Sequence, residues 1–352
     1  MKIDRTKPVM VTGATGYVAS WLVKKLLDEG LVVHAAVRNP DNEDKLAHLN
    51  KLAANAKGEI KYFKSDLLKE GSYAEAMEGC ELVFHTASPF ILNVKDPQKE
   101  LVEPAKLGTR NVLTQATKTP SVKRVIVTSS CAAIYGDNAD LKKTPLGIFT
   151  EDIWNTSSSL KHNPYSFSKT EAEKEAWSIA NSQSQWDMIT INPSLIMGPA
   201  LNPKGTSESL NLIRQMGDGK MKGGVPDWGF GVVDVRDVAK AHIAAAYTPE
   251  AKGRYITSGQ NTSLPEMAKL LLPRFGDKYP IPRKTVPKFL VWLVGPIMDS
   301  SMTRKFISKN IGHPWIGDNL KSVRELGMQY RALSETMNDF FQQMVDEGAF
   351  SA

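Results

Sequence analysis

The stretch Val9-Met-Val-Thr-Gly-Ala-Thr-Gly-Tyr-Val-Ala-Ser20 constrains the rest of the chain more than any other. A short apolar run, Val9 to Val11, stops at Gly13 and Gly16; an amphipathic segment then runs from Tyr17 to Glu29 and ends at Gly30. That order spells strand, tight turn, helix. Lacking Cβ atoms, the turn glycines let backbone N–H groups approach an anion at the helix N-terminus, where the helix dipole adds attraction. The spacing Gly13-x-x-Gly16-x-x-Ala19 is not the three-glycine dinucleotide fingerprint, and alone it suits a plain structural turn as well as a pyrophosphate cradle. Its place in the first βα turn of an alternating chain favours the cradle.

The alternation continues. Strands are expected at Leu31–Val37, Glu59–Lys64, Glu81–Thr86, Lys123–Thr128, Met188–Asn192 and Arg254–Thr257, with helices at about 41–54, 96–117 and 165–180 and a strand-to-helix run over 232–246. Strands alternating with helices imply right-handed crossovers and a parallel sheet covered on both faces. The fold class expected is therefore α/β: a Rossmann-type doubly wound parallel sheet. The segments 136–163 and 198–228 read as loop, the latter mobile and rich in Gly, Pro and Lys; residues 261–352 read as mostly helical with proline breaks. The expected division is a dinucleotide-binding domain, 1–197 and 229–260, and a smaller, mostly helical substrate-binding lobe, 198–228 and 261–352. Ligands of such sheets sit beyond the carboxyl ends of the strands, so a lobe over that edge would wall a substrate cleft.

Composition narrows the function classes. Net charge is +6, yet the lysines are spread along the chain with no polybasic run, so no nucleic-acid partner is expected. The two cysteines, Cys80 and Cys131, have neither metal-ligand nor redox spacing, no His/Asp/Glu cluster has metal-ligand spacing, and no Gly-x-Ser-x-Gly elbow occurs. No secretory signal is apparent, and the most apolar late stretch, Val286 to Met298, is too short to span a bilayer. A cytoplasmic protein with no membrane partner and no metal is the expectation, as monomer or homodimer.

Several residues carry candidate chemistry. Arg38 follows the second strand, where an acid would bond a ribose 2′-OH and an arginine accommodates a 2′-phosphate. Lys45 could add a second cationic contact; for both, the plainer role is a solvated charge. NADP(H) is thus favoured over NAD. Asp66 could accept from an adenine amino group, with Leu67 against the ring, or simply cap a helix. Thr86, Ala87 and Ser88 are small enough to let the backbone pass close to a cofactor. Tyr165-Ser-Phe-Ser-Lys169 places an ammonium beside a phenol on one helix face, easing proton transfer from the phenol to a carbonyl oxygen. Ser130, closing the strand that ends Thr128-Ser129-Ser130, would hydrogen-bond the same oxygen.

Taken together, these motifs resemble the extended short-chain dehydrogenases/reductases, most closely the dihydroflavonol 4-reductase group with its microbial aldehyde and ketone reductases. The resemblance runs over residues 8 to 245 through Thr12-Gly-Ala-Thr-Gly-Tyr-Val-Ala19, Val37-Arg-Asn-Pro40, Asp66-Leu67, Phe84-His-Thr-Ala-Ser-Pro89, Val127-Thr-Ser-Ser130, Tyr165 to Lys169, Ile191-Asn-Pro-Ser194, Gly198-Pro199 and Val233-Asp-Val-Arg-Asp-Val-Ala239. It implies Ser130, Tyr165 and Lys169 as catalytic residues. It implies cofactor contacts at Gly13, Gly16, Tyr17 and Val18, at Arg38, Lys45, Asp66 and Leu67, at Thr86 to Ser88 and Thr128, and at Pro193 and Ser194. Phe90, Ala132, Ile134 and Asn163 fall where the family touches substrate. One departure is Leu107, where many relatives carry an asparagine used in a proton relay. Cys131 suggests sensitivity to thiol reagents, while His85, His162 and His242 read as structural.

The activity implied is NADPH-dependent reduction of a small ketone or aldehyde. Two rivals stand beside it. One is another enzyme on the same scaffold, a nucleotide-sugar epimerase/dehydratase or a hydroxysteroid dehydrogenase, which an acid at Arg38 would have favoured. The other is a redox sensor that binds NADP without turnover and generally lacks the Tyr/Lys pair.

Overall fold

The computed structural model describes residues 1–89, 94–202, 205 and 207–350. Seven strands form a parallel sheet. In chain order they are β1 (Val9–Thr12), β2 (Val32–Val37), β3 (Glu59–Lys64), β4 (Leu82–His85), β5 (Arg124–Thr128), β6 (Asp187–Pro193) and, after an intervening sheet, the strand Gly253–Thr257. Their spatial order is Gly253–Thr257, β6, β5, β4, β1, β2, β3, every neighbouring pair parallel. The direction of strand addition reverses beside β1, which is where such sheets open a crevice at their carboxyl edge. β1, β4 and β5 carry near-continuous apolar runs because both faces are covered.

On one face lie α1 (Tyr17–Asp28), whose stripe Ala19, Leu22, Val23, Leu26 and Leu27 is buried, and the later helix Val235–Tyr247. The other face carries three helices: the short α3 (Ala74–Met77), α4 (Glu103–Lys118) and α5 (Pro164–Asn181), with α2 (Glu43–Ala53) completing the β2–β3 crossover. The helix expected from residue 96 begins as a single wide turn, Gln98–Val102, before α4 proper, where Pro104 occupies a first-turn position that needs no N–H donor. Gly108 of α4 sits so close to Leu67 that a Cβ there would approach its side chain to 2.5 Å, so this glycine sets the helix-to-loop spacing.

The segment 198–228 was expected to be loop, but the structure holds a helix in it: α6 (Glu208–Gly217). Ser207 caps it by accepting from the Leu210 N–H at 3.2 Å, and Leu210, Ile213 and Met216 are buried. Each such burial is worth about 1.5–3 kcal/mol, enough to outweigh the glycines and prolines on either side. A mixed three-stranded sheet lies nearby: β7 (Leu195–Met197) parallel to β9 (Gly229–Asp234), and β9 antiparallel to Gln260–Ser263. β8 (Val225–Pro226) pairs with Thr285–Val286. Numbering on from β9, Gly253–Thr257 is β10, Gln260–Ser263 is β11 and Thr285–Val286 is β12; Val235–Tyr247 is α7. The remaining helices are α8 (Leu264–Phe275), α9 (Lys288–Met298), α10 (Arg304–Asn310), α11 (Leu320–Leu326) and α12 (Leu333–Asp346). A second core forms between α6, α8 and α12, around Met216, Leu271, Met337, Phe340 and Phe341. Among the described residues, no helix is long and apolar enough to cross a membrane.

Candidate active site

The glycine turn sits at the carboxyl end of β1. Gly13 has φ +60°, and a Cβ there would lie 3.1 Å from that of Ala87, so the chain must be glycine to pass the β4 loop. Gly16 caps α1 with no side-chain bond, which leaves first-turn N–H groups for an anion. Thr12 ties this turn to the end of β4. Its Oγ1 accepts from the backbone N–H groups of Thr86 (3.0 Å) and Ala87 (2.9 Å), and its carbonyl accepts from the Thr86 hydroxyl. The phenol of Tyr17 is committed elsewhere: it donates to the Gly198 carbonyl, and its ring stacks on Phe340. Tyr17 and Val18 therefore have only their backbone N–H groups to offer at the turn.

Arg38 follows β2 directly, and Lys45 occupies the first turn of α2, its N–H capped by Asn42 at 3.0 Å. Both side chains are exposed and make no ion pair among the described residues, although Asp41, Glu43 and Asp44 lie nearby in sequence. Asp66 spends one carboxylate oxygen on the Leu68 N–H (2.9 Å), as a turn cap would, and the other has no partner among the described residues. The Leu67 carbonyl accepts from the buried Asn111 of α4 at 2.9 Å, whereas Leu107 is 40% exposed on the same helix.

Ser130, Tyr165 and Lys169 arrive from two elements. Ser130 follows β5, and its Oγ accepts from the Ala132 N–H at 3.1 Å, which starts a tight turn over Cys131–Ala133. Tyr165 and Lys169 lie one turn apart on α5; the Lys169 Nζ is 5.6 Å from the centre of the Tyr165 ring and donates to Ser88 Oγ at 2.7 Å. Tyr165 is 54% exposed, open toward solvent. A cavity between α4, α5 and the ends of β4 and β5 is lined by Ser88, Thr109, Thr128 and Lys169. His85, beside it, has its pKa pushed down to about 4, first by burial and then by the Lys169 charge.

Other expected contacts are engaged within the protein. Thr128 Oγ1 bonds His242 Nε2 at 2.6 Å, and His242 Nδ1 donates to the Val238 carbonyl. Pro193 ends β6, and Ser194 donates its N–H to the Thr257 carbonyl at 3.0 Å. Of the residues expected near substrate, Ala132 is half-buried and offers its carbonyl to Asn155; Ile134 is buried with Phe149 and Trp315. Asn163 adopts φ +51° and donates to the Gly136 carbonyl and to Asp137, bracing the entry to α5. Phe90 lies outside the described residues. His162 is buried against Asp137 at 2.8 Å, and Asp137 also accepts from Asn310 of α10. The expectation for Cys131 fails: it is buried, and burial raises its thiol pKa well above the ordinary range, which suppresses the reactive thiolate.

Two residues not singled out in the sequence hold the constellation together. Glu173, one turn beyond Lys169, is buried and accepts from the Ser129 hydroxyl, Asn192 Nδ2 (2.7 Å), Trp177 Nε1 (3.2 Å) and Arg254 Nε (2.7 Å). Arg254 of β10 also donates to the carbonyls of Glu151 and Ile153 and stacks over Trp154. Asn192 in turn donates to the Ser130 carbonyl at 3.2 Å. One carboxylate thus fastens α5 to the ends of β5 and β6 and to β10. The spacing Tyr165, Lys169, Glu173 is the signal that could have found it, since all three share a helix face.

Residues 9–257 match the NAD dependent epimerase/dehydratase family. Tetraketide alpha-pyrone reductase 1 of Arabidopsis thaliana is 36% identical over 357 residues, covering 99% of each chain. Cinnamoyl-CoA reductase CAD2 of Medicago truncatula is 41% identical over 266 residues, 75% of this chain and 79% of that protein. Yeast methylglyoxal/isovaleraldehyde reductase Gre2, solved in complex with NADPH, superposes with a TM-score of 0.78 at 26% identity, covering 97% of this chain and 99% of that one. The chain belongs to the NAD dependent epimerase/dehydratase family, as an extended short-chain dehydrogenase/reductase of the dihydroflavonol reductase-like group.

Proposed function

We propose that this protein is an NADPH-dependent carbonyl reductase that converts a small ketone or aldehyde to its alcohol through Ser130, Tyr165 and Lys169. The observation that carries the reading is the meeting of three elements at one sheet edge: the glycine turn after β1, the Ser88 loop after β4 bonded to Lys169, and Ser130 after β5. The residues present fit a phosphorylated dinucleotide. Gly13 lets the turn pass tightly against Ala87 of the β4 loop, α1 begins without a side-chain cap, and two exposed cations that make no ion pair among the described residues follow β2. In this reading residues 1–197 and 229–260 hold the cofactor, and 198–228 and 261–352 shape the substrate side.

When bound, the cofactor supplies the hydride. The protein's own residues manage the oxygen: Ser130 hydrogen-bonds it, Tyr165 delivers a proton to it, and Lys169 supplies the positive charge that stabilises the tyrosinate left behind. Lys169, which donates to Ser88 Oγ, would also bond the ribose of the cofactor when it is bound. Arg38, where an acid would suit a 2′-hydroxyl, disfavours the epimerase reading, and the Tyr165/Lys169 pair disfavours a sensor without turnover. The test is oxidation of NADPH and of NADH against a panel of aldehydes, aryl ketones, diketones and a dihydroflavonol. Turnover with NADPH strongly preferred supports the reading; tight NADPH binding without turnover of any carbonyl contradicts it.

A further inference from the structure

We propose that α9 is a docking element for an anionic lipid surface. This helix, Lys-Phe-Leu-Val-Trp-Leu-Val-Gly-Pro-Ile-Met, has no buried residue. Phe289, Leu290, Trp292, Leu293, Ile297 and Met298 are all exposed, Ile297 to 85% and Met298 to 81%. At 3.6 residues per turn, these side chains sweep roughly two-thirds of the helix circumference. Only a narrow stripe remains for the fold: Val291 and Gly295 lie toward α10, and Gly295 is small enough that even a Cβ would sit 3.1 Å from Ile307. Left in water an apolar arc that wide is costly, and immersion at a bilayer interface removes it from water.

Charge selects the kind of surface. Residues 278–310 hold seven basic side chains, Lys278, Arg283, Lys284, Lys288, Arg304, Lys305 and Lys309, against the single acid Asp299. That excess of six equals the net charge of the whole chain, +6, so the other residues balance. All seven are exposed, and none takes part in an ion pair among the described residues. Lysines recur along the whole chain, but the charge that acids do not balance falls in this segment. Arg304 lies over the Trp292 ring at 4.5 Å, joining cation to apolar face, and Lys142 of a neighbouring turn adds to the charge felt by Lys288. A second copy of the chain would present the same positive rim and be repelled, whereas anionic headgroups neutralise it. Eleven residues make about 16 Å of helix, half of what crossing a bilayer needs, so α9 would lie in the headgroup region.

The test is flotation of the full-length protein with vesicles of phosphatidylcholine alone or mixed with phosphatidylserine, at low and high salt. Binding to the mixed vesicles only, weakened by salt and lost in Ile297→Glu, is expected. Reversing Lys305 and Lys309 to Glu should weaken it at least tenfold, since each basic residue near such a surface is worth about fivefold in affinity. Nitroxide-labelled lipid should quench tryptophan fluorescence in the native chain and much less in Trp292→Phe. Unchanged thermal unfolding and unchanged far-ultraviolet circular dichroism in the variants exclude misfolding as the cause. Absence of binding to mixed vesicles overturns the proposal. So does a dimer in solution that Ile297→Glu dissociates while vesicle binding is nil, because a second copy would then be the occupant.

Discussion

Glu173→Ala removes the carboxylate that joins α5 to β5, β6 and β10, and strands the Arg254 guanidinium in a buried site. Breaking a buried pair by removing one partner typically costs about 3–5 kcal/mol, because the remaining charge is uncompensated. Carbonyls of Glu151 and Ile153 and the Trp154 ring soften the loss, so the lower end of that range is expected. With an unfolding entropy near 2 cal/mol/K per residue, that is roughly a 4–5 °C fall in Tm for a chain of this length. Arg254→Met leaves the carboxylate with its hydroxyl, amide and indole donors and should cost less. Glu173→Gln keeps the shape and loses the charge. The assay is thermal and urea unfolding of the single variants and of Glu173→Gln/Arg254→Met, closing a double-mutant cycle. A coupling of at least about 1 kcal/mol is expected for a buried pair in direct contact. Turnover should fall with little change in KM for NADPH, because Ser130 and Lys169 are positioned through this carboxylate. Additive single effects, or turnover untouched by Glu173→Ala, would refute the reasoning.

Arg38→Glu should raise KM for NADPH by about tenfold or more, the worth of a charge-assisted hydrogen bond, and narrow the preference over NADH, as steady-state kinetics with each cofactor would show. Cys80 and Cys131 are both buried, with the Cys80 thiol pKa pushed up to about 12, so a thiol reagent should label neither in the native state and both in denaturant, as mass spectrometry would report. Stability should fall on acidification: burial holds His85 and His242 near a pKa of about 4, below the ordinary 6.5, so the unfolded chain binds more protons between those values. The loss begins as pH drops through 6.5 and reaches up to about 3 kcal/mol per histidine near pH 4, measurable by urea unfolding across that range.

The parts of the site that were legible in the sequence are local. A glycine turn between an apolar run and an amphipathic stretch reads directly, and so does a tyrosine four residues before a lysine, because both depend on neighbours along one element. The parallel sheet was legible for the same reason: Val9–Val11, Leu82–His85 and Val125–Val127 are apolar runs too short for helices. The helix 208–217 was hidden by its flanks; its Leu210, Ile213, Met216 period was present, but the surrounding glycines, prolines and lysines dominate the composition. Glu173 and Arg254 are 81 residues apart, and each looks like an ordinary surface charge until the sheet brings them together. The same holds for Thr128 and Ser194, whose polar groups turn out to satisfy His242 and Thr257. Net charge concentrated in 278–310 was obscured by lysines elsewhere that acids balance.

The most direct test of the central claim is turnover by Tyr165→Phe on the best carbonyl substrate, with NADPH binding measured alongside. Tyr165 is exposed and its hydroxyl has no partner among the described residues, so the substitution should leave the fold and cofactor affinity intact. Loss of the general acid should then lower kcat by at least about a hundredfold. Turnover within a fewfold of the native chain would contradict the assignment of Tyr165 as the proton donor and, with it, the account of the site.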